Sequence, residues 1–583
     1  MRQQYAWRSK VLTIVLGLIA FAVLAQIVRI QNSQEAAIFK QQGNTYASEL
    51  ETFYPDRGEI YDRNGHLLAG NKTVYEIGVD LATVKDAKAI AMAVSVELGL
   101  DYNQLYQQIT NPSAGISYVV LADYVAGDKA AALQQLKVAA DNQAPQGVAG
   151  QLSGLEFKAH PQRSYPEGAL ASNILGFVNR EGRGYFGVEE KYNDLLAGNP
   201  VQVLVPTDPN KAFEIPHVPD GTTLVLTINR DLQAAAEKIL DDSLTTYSAQ
   251  GGTIIVMDPK TGELLAIATT PRMDLNQFWN YGSIYDNASE FDPAVSMPYE
   301  PGSVMKILTM AAALDSGTVV PSTPFLDTGA IMVGGATIRN WDDQAWGQQD
   351  MIGCLQHSLN VCLAWVSTQM GAQTFYGYMN RFGLGRLTGV DLAGEAAGRL
   401  KVPGDGDWYP VDLATNAFGQ GVAATPIQVM MATSAVADDG RMVVPHVLYS
   451  MLRDGRQYNV PPQYAGTPIT PDTANTLNNM LAISLENESS EAMVPGYRIA
   501  GKTGTAQIPT PLGVYDSTYT NASFIGWGPV DDPKFMIYVW LEKPSASIWG
   551  SETAAPVFAQ IAEKTVVLLN IPPDNIRKET ASQ

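Results

Sequence analysis

The sequence predicts an α+β protein: two folded modules behind a single membrane-spanning helix. Three observations carry that prediction. Val11 to Val28 contains no charged residue, with Arg2, Arg8 and Lys10 before it and Arg29 closing it. Two separate parts of the chain show short apolar strands around a tight-turn signal, one at Asn64-Gly65 and one at Asp258-Pro259-Lys260-Thr261-Gly262. Further strands follow the second hairpin only near the C-terminus, with helical sequence between, which suits an antiparallel sheet carrying a helical lobe.

Taken in order, residues 1–10 form a basic cytoplasmic tail and residues 11–30 the span, close to the ~20 residues that a helix needs to cross a bilayer. The positive flank places the N-terminus inside and the bulk of the chain outside. An uncleaved anchor is preferred to a signal peptide, because the small-residue site Ala20-Phe21-Ala22 falls inside the apolar run rather than after it. Residues 31–52 are polar and read as a stalk. The first module, residues 53–215, opens with Arg57-Gly58 through Ala69. It continues with a strand over Thr73–Val79 and helices over Ala87–Leu98 and Gly127–Ala140. It holds no cluster of catalytic residue types, which points to a structural or partner-docking role.

The second module, residues 216–575, begins with a strand over Leu224–Ile228 and a helix over Asp231–Leu240. A hairpin joins Thr253–Met257 to Leu264–Ala268. An apolar helix runs from Ser303 to Leu314, and a largely helical stretch covers Met351 to Gly383. Pro426 suits the start of another helix. The segment Tyr497–Gln507 is followed by strands over Phe524–Trp527 and Phe535–Leu541 and a closing helix over Ala555–Leu569. Residues 576–583 read as a frayed tail.

Composition excludes several classes. With 46% hydrophobic and 17% charged residues, the chain is globular rather than disordered. Its 38 basic and 59 acidic residues leave a net charge of -21, which argues against a nucleic-acid partner. The five histidines show no metal-ligand spacing, so neither metal nor cofactor is expected. Cys354 and Cys362, if carried by one helix, lie about 12 Å apart along its axis, too far for a disulfide. They are expected to be buried small apolar side chains.

The chemistry gathers around Tyr299-Glu300-Pro301-Gly302-Ser303-Val304-Met305-Lys306. On a helix, Ser303 and Lys306 share one face. A serine hydroxyl is a poor nucleophile until a neighbouring base takes its proton, and a lysine serves only when burial or a second cation keeps it neutral. The helix N-terminus adds free N–H groups beside the hydroxyl, suited to a developing oxyanion. Alone, Ser-x-x-Lys also describes a capping serine one turn before a surface lysine. Two more short patterns follow it in the chain: Ser358-Leu359-Asn360 and Lys502-Thr503-Gly504-Thr505. Weak singly, the three in this order form a specific signature.

On these motifs the chain resembles the class B penicillin-binding proteins, membrane-anchored peptidoglycan transpeptidases of the penicillin-binding protein 2 and division type. The resemblance covers nearly the whole chain. Arg57–Ala69 and Arg163–Gly198 look like that family's N-terminal dimerisation or pedestal module. Phe418–Gln428, Phe524–Pro529 and Ala554–Phe558 look like later landmarks of its transpeptidase domain. Two departures stand out: Asp292-Pro293-Ala294 where many relatives have Asn-Arg-Ala, and Leu359 at the centre of the second motif.

The resemblance implies a D,D-transpeptidase that cross-links stem peptides through a serine acyl-enzyme and is inhibited covalently by β-lactams. It implies Ser303 as nucleophile, Lys306 as base, Ser358 as proton relay and Lys502 as the second cation. Asn360, Thr503, Gly504 and Thr505 would bind substrate, with the backbone N–H groups of Ser303 and Thr505 as oxyanion hole. The Lys502 strand would pair with an extended stem peptide. With no room for a glycosyltransferase domain between anchor and Arg57, the expected partner is a multi-pass membrane glycosyltransferase. The Tyr299–Ser303 approach leans towards the division type. Alternatives are a carboxypeptidase or endopeptidase, with water as acceptor, and a non-catalytic wall scaffold. A β-lactamase has no need of stalk and module, and ten residues before the span are too few for a sensor's signalling portion.

Overall fold

The computed structural model describes residues 6–33, 48–206 except 114 and 146, 218–509 except 287 and 489, and 515–581. By contacts the chain divides into two units, Met1–Asp56 with Gly198–Gly221, and Arg57–Ala197 with Thr222–Gln583.

The first unit contains the helix Ala6–Gln31, whose segment Lys10–Gln31 is the one stretch among the described residues long and apolar enough to cross a membrane. It also contains an antiparallel ladder that pairs Ser48–Phe53 with Val201–Pro206. The last residues of the expected stalk are therefore a strand. Their partner, Val201-Gln202-Val203-Leu204-Val205, is rich in the β-branched residues that favour a pleated backbone. The rest of the expected stalk, residues 34–47, lies outside the described residues, as do residues 1–5 of the expected tail.

In the second unit the central sheet of the transpeptidase-like part has five antiparallel strands. Their spatial order is Leu264–Thr269, Gly251–Met257, Phe535–Glu542, Tyr515–Gly528 and Ala500–Pro509. Sequence-remote strands meet at its centre, where Ile255 pairs with Tyr538. Period-two alternation sends the side chains to opposite faces. Ile254, Val256, Ile537 and Val539 pack under the helices Arg230–Tyr247 and Ala554–Leu568, among Leu232, Leu240, Phe558 and Ile561. Ile255, Met257, Tyr538 and Trp540 face the larger core with Met305, Leu308 and Met430. Because helices cover both faces, Gly251–Met257 is buried at every residue.

A second sheet crosses the expected module boundary. Ile60–Tyr61 pairs in parallel with Thr223–Leu226 and antiparallel with Leu67–Asp80. Asp62 explains the junction. Its buried carboxylate accepts from the backbone N–H groups of Asn64, His66 and Arg230, all within 2.8–3.0 Å. It thereby ties the Asn64-Gly65 turn to the start of the next module's first helix. Nearby, Glu189 receives Arg57 and Arg163 together, each ion pair at 2.7 Å and fully or nearly buried. The helices Ala87–Leu98 and Gly127–Gln143 form where periodicity places them, and Asp86 caps the first through the N–H groups of Lys88 and Ala89.

Two further expectations fail, one at the C-terminus and one at the cysteines. Residues 576–581 are not frayed: Asp574–Ala581 is a helix, Arg577 pairs with Asp531 and Asp574, and the Asp574 carboxylate accepts from Arg498 N–H at 2.9 Å. Residues 582–583 lie outside the described residues. Cys354 and Cys362 form a disulfide with Cα atoms 6.0 Å apart. The helical stretch breaks between Met351–Gln356 and Asn360–Met370, and Ser358 turns the chain with φ 51°. The two sulfurs thus come from different helices, so separation along one axis does not apply. Both cysteines are buried, as expected.

Candidate active site

Ser303 sits not on the α-helix but in the 3-10 turn Gly302–Met305 that leads into the helix Lys306–Asp315. A 3-10 turn eclipses residues three apart, which brings Ser303 and Lys306 to one side even more directly than an α-helix does. Gly302 makes this possible. Its φ is +62°, and a Cβ there would meet Ala506 at 3.0 Å. Glu300 braces the turn: its carboxylate accepts from Gly421 N–H at 2.9 Å and from the Tyr515 hydroxyl at 3.0 Å.

Lys306 is fully buried. Its Nζ lies 2.6 Å from the Ser358 carbonyl oxygen, 3.0 Å from Ser358 Oγ and 2.8 Å from Asn360 Oδ1, all within hydrogen-bond distance. All three partners are neutral. Burial first, and the positive charge of Lys502 second, hold the amine well below the usual lysine range. A neutral amine has two protons to donate, to the carbonyl and the amide, and one lone pair to offer a hydroxyl.

Ser358 is placed by the helix break, and its left-handed backbone costs of order 1–2 kcal/mol in a non-glycine residue. Leu359 N–H closes on the Cys354 carbonyl at 3.0 Å, and the disulfide brackets the turn from Cys354 to Cys362. Leu359 is buried, so the unusual middle residue of the second motif points into the core and leaves Ser358 and Asn360 to the cleft. Asn360 also donates Nδ2 to the Arg339 carbonyl at 3.2 Å. At the other departure, Asp292 caps the short helix Pro293–Ser296 and accepts from Ala294 N–H at 2.9 Å, and burial raises its carboxyl to about 7.

The third motif lies on the edge strand Ala500–Pro509. Lys502 is nearly buried and donates to Thr503 Oγ1 at 3.1 Å. Burial lowers it to about 8, against the opposing pull of the Glu488 carboxylate. Thr503 and Thr505 line the cleft, and Thr505 Oγ1 accepts from Gly550 N–H at 3.0 Å. Gly504 faces the other way. A Cβ there would meet Ser523 Oγ at 2.2 Å and Val304 at 3.1 Å, so its role is to let the strand approach the nucleophile turn.

A cleft of about 280 Å³ thus collects Ser303, Ser358, Asn360, Thr503 and Thr505, with Lys306 buried against Ser358 and Asn360 and Lys502 buried against Thr503. Such an arrangement can activate the half-buried Ser303 hydroxyl at the cleft, move its proton, and hold an anion beside a cation and two hydroxyls.

The sequence model of the penicillin-binding protein transpeptidase domain matches residues 252–563, and that of the penicillin-binding protein dimerisation domain matches residues 52–213. The chain belongs to the penicillin-binding proteins. Stage V sporulation protein D of Bacillus subtilis is 30% identical over 89% of this chain and 79% of its own length. The peptidoglycan D,D-transpeptidase FtsI of Escherichia coli is 27% identical over 98% of this chain and 93% of its own. Among solved structures, penicillin-binding protein 3 from Mycobacterium tuberculosis in complex with aztreonam aligns at TM-score 0.68 and 26% identity, covering 90% of this chain and 98% of that one.

Several cleft residues of this penicillin-binding protein escaped sequence reasoning. Trp341, Trp346 and Trp549 line it, together with Glu488 and Glu552. None falls in a motif; Trp341 and Trp346 come from the loop between the strands Ala336–Arg339 and Gly347–Gln349, and Trp549 from a loop remote in sequence. His357 also lines it, stacked on Trp346 with ring centroids 4.1 Å apart, and burial lowers its pKa, so it is a neutral wall residue.

Proposed function

We propose that this chain is a membrane-anchored peptidoglycan D,D-transpeptidase that works through an acyl-enzyme on Ser303. One observation carries the reading: a fully buried lysine, one 3-10 turn from an accessible serine, meets only neutral acceptors from the second motif.

Neutral Lys306 takes the Ser303 Oγ proton as Oγ attacks the carbonyl carbon between two D-alanines. The backbone N–H groups of Ser303 and Thr505 receive the oxyanion. Lys502, Thr503 and Thr505 hold the terminal carboxylate, and Asn360 holds the substrate amide and Lys306. As the C–N bond breaks, the proton on Lys306 passes through Ser358 Oγ to the leaving amine. An acceptor amine then attacks the ester carbon, the C–O bond to Ser303 breaks, and the proton returns to the serine. Water in that second step gives a carboxypeptidase, and the pedestal module supports the transpeptidase.

The same reading assigns residues 53–215 to the pedestal and 216–575 to the catalytic domain. It places the N-terminus in the cytoplasm and the cleft outside, and it takes a multi-pass membrane glycosyltransferase as partner. Labelling with a fluorescent β-lactam tests the chemistry: wild type is expected to carry an adduct on Ser303, and Ser303→Ala none. Labelling that survives the substitution removes the assignment. Co-purification from detergent-solubilised membranes tests the partner.

A further inference from the structure

The helix that carries Asn360 begins without a cap of its own. Asn360 is the first residue of the helix Asn360–Met370, and the N-cap position falls on Leu359, whose side chain has no oxygen to offer. A helix start ordinarily takes a side-chain oxygen onto its second or third N–H group, and without one those donors are orphaned. Here the oxygen comes from another part of the chain. Asn340 Oδ1 accepts from Val361 N–H, the second of the helix, at 3.1 Å. Beside it, the Arg339 carbonyl accepts from Asn360 Nδ2 at 3.2 Å. These two consecutive residues hold both the backbone of the helix start and the side chain of Asn360, and they leave its Oδ1 for Lys306 Nζ.

Asn340 is itself held. It is buried, and its Nδ2 donates to Asp327 Oδ2 at 2.8 Å and to the Gln344 carbonyl at 3.1 Å. The same Asp327 oxygen accepts from Trp346 N–H at 2.8 Å. One carboxylate oxygen therefore clasps both ends of the loop between the strands Ala336–Arg339 and Gly347–Gln349. That loop also touches the residue before Ser358: Trp341 Nε1 donates to the His357 carbonyl at 3.0 Å, and the Trp346 ring stacks on the His357 ring. Asp327 is buried, and among the described residues its Oδ1 has no hydrogen-bond partner. Burying a carboxylate so sparsely bonded costs stability. What the charge supplies is an acceptor strong enough for two donors at once.

We propose that Asp327 and Asn340 are positioning residues for acyl transfer: a helix cap supplied from outside the three motifs that fixes the Asn360 amide on Lys306. This rests on the reading of Lys306 as base. Asp327 orients Asn340, Asn340 holds the helix start, and Asn360 Oδ1 keeps Lys306 Nζ aligned with Ser303. Neither Asp327 nor Asn340 lines the cleft, so neither carries a proton or touches a ligand.

The test follows acylation of the full-length protein in detergent by a fluorescent β-lactam over a range of concentrations, which separates the rate of bond formation from the affinity of the preceding complex. In Asn340→Ala the rate is expected to fall about tenfold, the scale of a small displacement at a reacting group, with the affinity within about twofold of wild type. The same substitution made in an Asn360→Ala background is expected to change the rate by less than about twofold, because the group through which it acts is gone. If Asn340→Ala does not fold, Asn340→Asp, close to it in shape, is read in the same two backgrounds with the same expectations, since its carboxylate faces that of Asp327. The exchange Asp327→Asn/Asn340→Asp restores an amide-to-carboxylate hydrogen bond and an oxygen for Val361 N–H. It is expected to bring the rate back to within about threefold of wild type. An unchanged rate in the position 340 variants overturns the proposal. An equal fall with and without the Asn360 amide overturns it too, as does an exchange variant that folds and stays as slow as Asn340→Asp. Failure of the underlying reading looks different: Asn360→Ala alone then acylates at the wild-type rate, or no adduct forms on Ser303.

Discussion

Two regions of this molecule bury cations, and they treat them in opposite ways. Within the dimerisation module, Arg57 and Arg163 close on the single carboxylate of Glu189, with further acceptors in Asn193, Asn71 and backbone carbonyls. In the cleft, Lys306 is buried at least as deeply and meets a carbonyl, a hydroxyl and an amide, with a second cation nearby. Guanidinium groups stay charged at any accessible pH, so their burial requires a counter-charge. An amine has another way out: it gives up its proton. The first arrangement is structural and holds Arg57, Arg163 and Glu189 from distant parts of the pedestal together. The second is an amine with neutral partners only, held one turn from a hydroxyl. Burial alone therefore does not mark a reactive cation; the chemistry of its acceptors does.

The sharpest way to break this comparison is to make the cleft cation behave like the pedestal one. Lys306→Arg keeps a buried cation but cannot release a proton. Acylation of Ser303 by a β-lactam, followed by stopped-flow or gel fluorescence, is expected to fall about a thousandfold, the range for loss of a positioned base. Activity near wild type would show that a neutral amine at this position is not required. The converse experiment removes the counter-charge from the pedestal. Glu189→Gln strands two buried guanidinium groups, and unfolding monitored by denaturant is expected to lose about 3–5 kcal/mol. A loss below about 1 kcal/mol would mean that solvent or the flanking carbonyls already neutralise the pair.

The disulfide sharpens the cleft side. It closes a short loop around Ser358 and Asn360, the two residues that supply the acceptors of Lys306. Cys354→Ser/Cys362→Ser is expected to cost about 2–3 kcal/mol by loop-closure entropy. It should also slow β-lactam acylation about tenfold, because the left-handed turn at Ser358 loses its brace. Thermal unfolding and acylation kinetics on the same preparation check both, and a stability loss with full acylation would confine the disulfide to folding.

How much of this was legible beforehand follows a physical line. Features written in short windows were readable: the uncharged run before Arg29, the Asn64-Gly65 hairpin, the periodicity of Ala87–Leu98, and the three motifs with their spacing. Features that depend on where a helix stops were not. Nothing local between Met351 and Gly383 announces that Ser358 adopts a positive φ, since serine carries no conformational preference for it as glycine does. The disulfide was misjudged for that one reason. Glu488, Trp341 and Trp549 reach the cleft from three loops or helix ends whose convergence is a product of topology, and isolated tryptophans and glutamates carry no spacing to read. Arg577 looked like part of a tail because its partners, Asp531 and Asp574, identify themselves only after folding.

The smallest effect expected is the one that separates the two lysines by pH. The reaction needs Lys306 neutral and Lys502 charged. Lys306 already lies well below the usual lysine range, so its limb of the profile is on the acid side. Lys502 titrates at about 8, so acylation of a substrate with a free carboxylate is expected to decline as pH rises through about 8, two- to threefold within half a unit. Stability moves the other way. The folded-state pKa of Lys502 is lower than its unfolded value of 10.5, so between about 8 and 10.5 the unfolded chain binds the extra proton. Stability from this group therefore rises with pH across that window. Activity that falls while the unfolding midpoint holds or climbs distinguishes loss of the Lys502 charge from alkaline unfolding. Lys502→Arg, whose charge persists, should retain acylation above pH 8 relative to its own value at neutral pH. An identical alkaline decline in that variant would assign the limb to a group other than Lys502.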